Sequence, residues 1–85
     1  MADWYAQNST VNINSANEWN SVPAGGGSVL TWPPASGDNL YANAKTAIAI
    51  NVGFNIGTGK ISTEAGAGTA GGGFISVAST AITVT

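Results

Sequence analysis

Ala42-Asn43-Ala44-Lys45-Thr46-Ala47-Ile48-Ala49-Ile50-Asn51-Val52 holds enough alanine to suggest a helix, and the order of its apolar residues decides the fold. A helix needs apolar residues at spacings of three and four, whereas here they alternate. Ile48, Ile50 and Val52 fall on one face of an extended segment, with Ala47, Ala49 and Asn51 on the other. The second face is small and nearly flat, so another chain segment can pack closely against it. Helix signals elsewhere are nearly absent.

Working outward, the same period recurs in short runs. Residues 10–14 alternate Val11 and Ile13 against Asn12 and Asn14. Residues 28–32 and 38–41 read as strands around the break Trp32-Pro33-Pro34-Ala35-Ser36-Gly37. Phe54 with Ile56, residues 60–62, residues 74–77 and residues 81–85 complete the set, the last with Ile82 and Val84 facing one way. β-branched residues favour this pleated geometry. Gly25-Gly26-Gly27, Gly57-Thr58-Gly59 and the glycine-rich stretch 66–73 separate the runs. Strands at intervals near ten residues predict an all-β fold, a small sandwich or a short β-helix-like module. Residues 1–37, rich in Asn, Ser, Pro and aromatics, read as an irregular N-terminal arm. Residues 38–85 read as the β module, the two together making a single domain. Residues 63–73 are low in complexity and read as a flexible or closely packed loop.

Charge is scarce. Lys plus Arg number 2 and Asp plus Glu 4, so 7% of the 85 residues are charged, where about 25% is usual. Two lysines give no footprint for nucleic acid and no attraction to an anionic membrane. With neither Cys nor His, disulfides, thiol nucleophiles, histidine triads and Cys–His zinc sites are impossible. No apolar run approaches the roughly 18 residues that cross a bilayer. Met1-Ala2-Asp3-Trp4-Tyr5 has no secretory character, so synthesis in the cytoplasm is expected and the sequon Asn8-Ser9-Thr10 is expected to stay unmodified. A lone module of this size needs charge for solubility and to guard its sheet edges. Its shortage predicts association with copies of itself or with a larger assembly, although Asn, Thr, Ser and Gln offer an uncharged route to solubility.

Motif matches weaken on inspection. Gly66-Ala67-Gly68-Thr69-Ala70-Gly71 fits G-x-G-x-x-G, but Gly72-Gly73-Phe74-Ile75 cannot open the helix that fingerprint requires. Gly57-Thr58-Gly59-Lys60 falls short of a phosphate loop, since Phe54 and Ile61 stand where Gly and Ser or Thr belong. The carboxylates Asp3, Glu18, Asp38 and Glu64 lie far apart and have no His to separate their pKa values, so no catalytic residues, cofactor or metal are expected. Asp38 after Gly37 reads as a turn residue bonding nearby amides, with a weak calcium site built on Asp38 and Asn39 as the alternative. Trp4, Tyr5, Trp19 and Trp32 are the partner-binding candidates, because aromatics bury large area at small entropic cost. A core short of Leu and Phe, or a sugar-stacking platform, is the competing use for them.

Gly37-Asp38-Asn39-Leu40-Tyr41-Ala42-Asn43, then Lys45-Thr46-Ala47-Ile48-Ala49-Ile50, then Ile61-Ser62, Gly72-Gly73-Phe74 and Ile82-Thr83-Val84 resemble the opening rungs of β-rich virion proteins of tailed bacteriophages, including head-decoration and tail-spike proteins. The resemblance covers residues 37–85 and departs at Ala44, where such turns often carry glycine. It implies a non-enzymatic homotrimer on the capsid exterior of the virion, bound to the major capsid protein as a decoration (cement) protein that bridges capsomers. A carbohydrate- or host-binding module of a tail fibre or spike is the alternative it leaves open.

Overall fold

The computed structural model describes residues 1–64, 73, 75–78 and 82–85. Seven strands and no helix occur among them: β1 (Asp3–Ala6), β2 (Val11–Asn12), β3 (Trp19–Asn20), β4 (Asn39–Tyr41), β5 (Ile48–Ile50), β6 (Ile61–Ser62) and β7 (Ile75–Val77). The protein is a small all-β domain with two open sheets, ordered β3-β1-β4-β6 and β2-β5-β7. Apart from β3, which returns to the first sheet beside β1, the chain visits them alternately, β1 then β2, β4 then β5, β6 then β7, making three passes. Each pass lies parallel to the one before, so Trp4 aligns with Leu40 and Leu40 with Ile61. In the second sheet Val11 aligns with Ile48 and Ile48 with Ile75. A parallel bridge from Phe54 to Val84 continues the second and third passes.

Alternation along the strands builds one core between the sheets. Ala6, Leu40 and Ala42 enter it from the first sheet and Ile48 and Ile50 from the second, with Ile13, Trp19, Phe54 and Ile56 filling between. The reading of the 42–52 stretch holds at its centre, where Ile48 and Ile50 are buried and Val52 packs against the same core, but the strand is only Ile48–Ile50 and Ala47, at φ 56°, is not extended. Residues 42–47 are not part of that strand. Lys45 donates its amide to the Ala42 carbonyl at 2.9 Å across Asn43 and Ala44, whose φ values of 56° and 61° make a tight left-handed turn between β4 and β5. Ala44, where glycine was expected, therefore occupies the conformation glycine favours.

Other boundaries shift. The 28–32 run gives only a bridge from Val29 to Asn20, because Pro33 and Pro34 lack the N–H groups needed to extend it. The 10–14 run shortens to β2, and among the described residues the 81–85 run shows a bridge at Val84. Phe74 and Ala81 lie outside the described residues, as does most of the 63–73 loop. The larger difference is at the start of the chain. The stretch read as an irregular arm supplies β1, which lies between β3 and β4 in the first sheet. Its aromatic residues, expected outside the strands, are in them: Trp4 and Tyr5 on β1 and Trp19 on β3. A strand covered on both faces shows no polar alternation, which is why Asp-Trp-Tyr-Ala gave no signal.

Candidate functional site

Asp38 is 4% exposed and sits in the turn behind β4. Gly37, at φ 92°, lets the chain turn there, and the Asp38 amide closes on the Ala35 carbonyl at 3.0 Å. Oδ2 accepts from the Trp4 indole N–H and the Ala35 amide, each at 3.0 Å, and Oδ1 accepts from the Ala2 amide at 2.9 Å. Burial alone would raise this carboxyl; the three donors and the Met1 ammonium, 3.9 Å away, outweigh it and hold Asp38 below its ordinary value. The turn reading is the one realised. For a calcium site the lone pairs point the wrong way, toward N–H donors, and the Asn39 side chain is already used between Asp3 and the Lys60 amide. Among the described residues no cluster of three or more Asp or Glu is placed to hold a metal.

Glu18, just before β3, is 1% exposed. Its Oε1 accepts from both the backbone amide and the side-chain amide of Asn8, at 3.0 Å each. Burial pushes the Glu18 carboxyl above its ordinary range, although Asn8, Gln7 and the charge of Lys45 pull it down. Raised carboxyls serve as general acids where a substrate can reach them. Here the group is enclosed and latches the β1–β2 connection to β3.

The four aromatic candidates divide. Trp19 is in the core, 2% exposed, with its indole N–H on the Ile13 carbonyl at 2.7 Å. Tyr5 is also buried, on the outer face of the first sheet, where its ring stacks on Tyr41 with centroids 5.2 Å apart; Lys60 Nζ lies 5.3 Å from the Tyr41 centroid. Trp4 and Trp32 are half-buried, Trp4 tied to Asp38 and Trp32 edge-on to Phe54 at 4.9 Å. A sugar platform needs an open ring face, and neither Trp19 nor Tyr5 has one. The Tyr41–Lys60 partnership escaped the sequence reading, although the alternation Leu40-Tyr41-Ala42 places Tyr41 opposite the core-facing pair.

Outside the core the surface is bland. A shallow groove of about 440 Å³ runs along Thr10, Asn12, Ser15, Ala47 and Ala49, on the small flat face expected from the sequence. Of the six charged side chains, Glu18 and Asp38 are buried, Asp3, Lys45 and Glu64 half-buried, and Lys60 exposed. Fold and side chains together define a small all-β module whose buried carboxylates serve its own backbone. No protein-family model, curated protein or solved structure matches this chain.

Proposed function

We propose that this chain is a non-enzymatic structural protein of a virion, a capsid decoration module that bridges capsomers, and that its three passes form a short β-helix-like stack. The observation that carries the reading is the surface: only four charged side chains remain outside the core on 4360 Å², roughly one per 1,000 Å². Neutral Asn, Ser, Thr, Ala and Gly cover the rest, a skin suited to close contact with other protein. Trp4 and Trp32, which keep part of their surface open, are the aromatic anchors for the major capsid protein, while Tyr5 and Trp19 hold the module together. The resemblance to phage virion proteins over residues 37–85 supplies the particle, and a homotrimer is the assembly it implies.

The test is proteomic. In density-purified phage particles from cells carrying the gene, the tryptic peptide 46–60 should appear in amounts comparable to the major head protein. Its confinement to the soluble fraction of the lysate would refute the proposal.

A further inference from the structure

The third pass differs from the two before it. In the second pass Leu40 and Ile48 are fully enclosed and Ile50 is 6% exposed. Their register partners in the third pass are open: Ile61 and Ile75 are half-buried, and Val77, aligned with Ile50, is 59% exposed. Val84, beyond Phe54, is half-buried as well. The backbone agrees. Leu40 and Ala42 donate to the carbonyls of Lys60 and Ser62, which turns Ile61 and Thr63 away from β4. Ala78 donates to Ile50, which turns Ile75 and Val77 away from β5, and the bonds of Thr83 and Thr85 to Phe54 leave Val84 facing outward. None of these five outward-facing backbone units has a partner among the described residues. At the opposite end β3 pairs with β1, Val29 bridges to β3, and Trp19 fills the core behind them.

We infer that the open third pass is the docking surface for a second copy of this chain, joined edge to edge about a two-fold axis. Lys60-Ile61-Ser62-Thr63-Glu64 is complementary to its own reverse. Centred on Ser62, an antiparallel pairing sets Ile61 opposite the partner's Thr63, both with their amides on the shared edge, as a hydrogen-bonded pair requires. The same register sets Lys60 opposite the partner's Glu64, so the contact is isologous and its charges cancel. A strongly acidic or basic partner finds no complement here. The molecule measures 32 × 24 × 23 Å, so a contact that used one whole end face offers at least about 400–500 Å² per copy, hence about 1,000 Å² for the pair. That lies at the lower end of specific interfaces, among the weak and transient ones, so the association is to be read over a wide concentration range. The inference rests on the self-association in the proposed function, but sets a two-fold pair where the resemblance implies a trimer. Its test reads which surface joins copies, not whether they reach a particle, so either can fail alone.

Sedimentation equilibrium of the full chain from about 1 to 500 µM reads the association. The wild type should show a concentration-dependent two-fold step. Val77→Lys, at an exposed position that leaves the core intact, should weaken it at least tenfold, and Thr63→Pro, which deletes one edge donor, should do the same. Val29→Lys, the same change at a 47% exposed valine on the closed end, should leave it unchanged. Circular dichroism of each variant confirms folding, and Val77→Lys decides alone where Thr63→Pro does not fold. A monomer at every concentration, an oligomer indifferent to Val77→Lys, or equal weakening by Val29→Lys overturns the inference.

Discussion

Replacing Asp38 with asparagine removes one oxygen from a carboxylate that accepts three N–H groups. With its remaining oxygen at the Oδ2 position, asparagine keeps Trp4 and Ala35 as neutral bonds and turns an NH₂ toward the Ala2 amide. One charge-assisted bond, worth about 1.5–3 kcal/mol, becomes a donor facing a donor, and two others drop by about 0.5–1 kcal/mol each. The expected loss is about 3 kcal/mol, against a total near 4–13 kcal/mol for a chain of this length. The melting temperature should fall by about 12–24 °C. The pH profile carries a second signature. Asp38 is held below its ordinary value of 3.8, so the stability it contributes is complete above that value and is lost as pH falls through the lower folded value. The gap between wild type and Asp38→Asn is therefore widest above pH 3.8 and narrows in acid. Urea unfolding followed by tryptophan fluorescence from acid to neutral pH measures both, with Trp4, Trp19 and Trp32 all contributing to the signal. A loss under about 0.5 kcal/mol at neutral pH, or a gap that does not narrow in acid, refutes the reasoning.

Glu18 tilts the other way: its carboxyl is raised, so its contribution is complete below the ordinary value of 4.5 and is lost as pH rises through the folded value. Glu18→Gln keeps the oxygen that Asn8 uses and should be neutral to stabilising at pH 7 and flatten that decline, read by the same urea titrations; a large destabilisation at pH 7 would show the charge is needed. Ala44→Gly relieves a left-handed alanine at an exposed turn and should stabilise by about 0.5–1 kcal/mol, seen as a melting point a few degrees higher. A lower melting point would place residue 44 outside that turn. Gly59→Ala would drive a Cβ into the Asp38 carbonyl group, whose carbon lies 2.7 Å from the Cβ position, and should cost about 1–3 kcal/mol in calorimetry; a neutral result would separate the 57–59 turn from β4.

β5 was readable because its Ile-Ala-Ile sets a covered face against a plainer one at period two, and β4 because it follows the break at 32–37, although Leu40 and Tyr41 are both buried. Asp38 was readable for a local reason, since an Asp after a glycine bonds amides within its own turn. What stayed hidden depends on distance along the chain. Trp4 reaches Asp38 across a separation of 34 residues, and β1 pairs with β4 at a similar remove, so no window around residues 3–6 contains the partners that make them a strand. Glu18 reads as an ordinary polar residue, because its burial follows from Asn8 folding back over it. The uncovered third pass was hidden for a further reason: Ile61, Ile75, Val77 and Val84 have the composition of core residues, and only the end of the stack leaves them partly open.

Strands of two to four residues make few ladder bonds, so this chain relies on side-chain amides and hydroxyls to tie its passes together. Asn43 donates to the Ala6 and Pro23 carbonyls at 2.8 and 2.9 Å, Asn20 accepts from the Val22 and Gly27 amides, and Ser9 accepts from the Thr46 amide at 3.0 Å. Neutral groups suit that task, because each bond lies close to backbone that a charge would be costly to desolvate beside. The same economy leaves the sheet edges thinly protected, since charges are what most proteins place there. At the first-pass end β3 covers β1 and Val29 bridges to β3, while β2 is left as the edge of the second sheet. At the third pass Lys60 and Glu64 flank β6 with opposite signs, a pattern that deters stacking much less than two like charges would. The short strands limit the hazard, because an edge only two or three residues long cannot template an indefinite sheet. Such an edge is open enough to pair and too brief to propagate, and that combination favours a closed, countable assembly over a fibre.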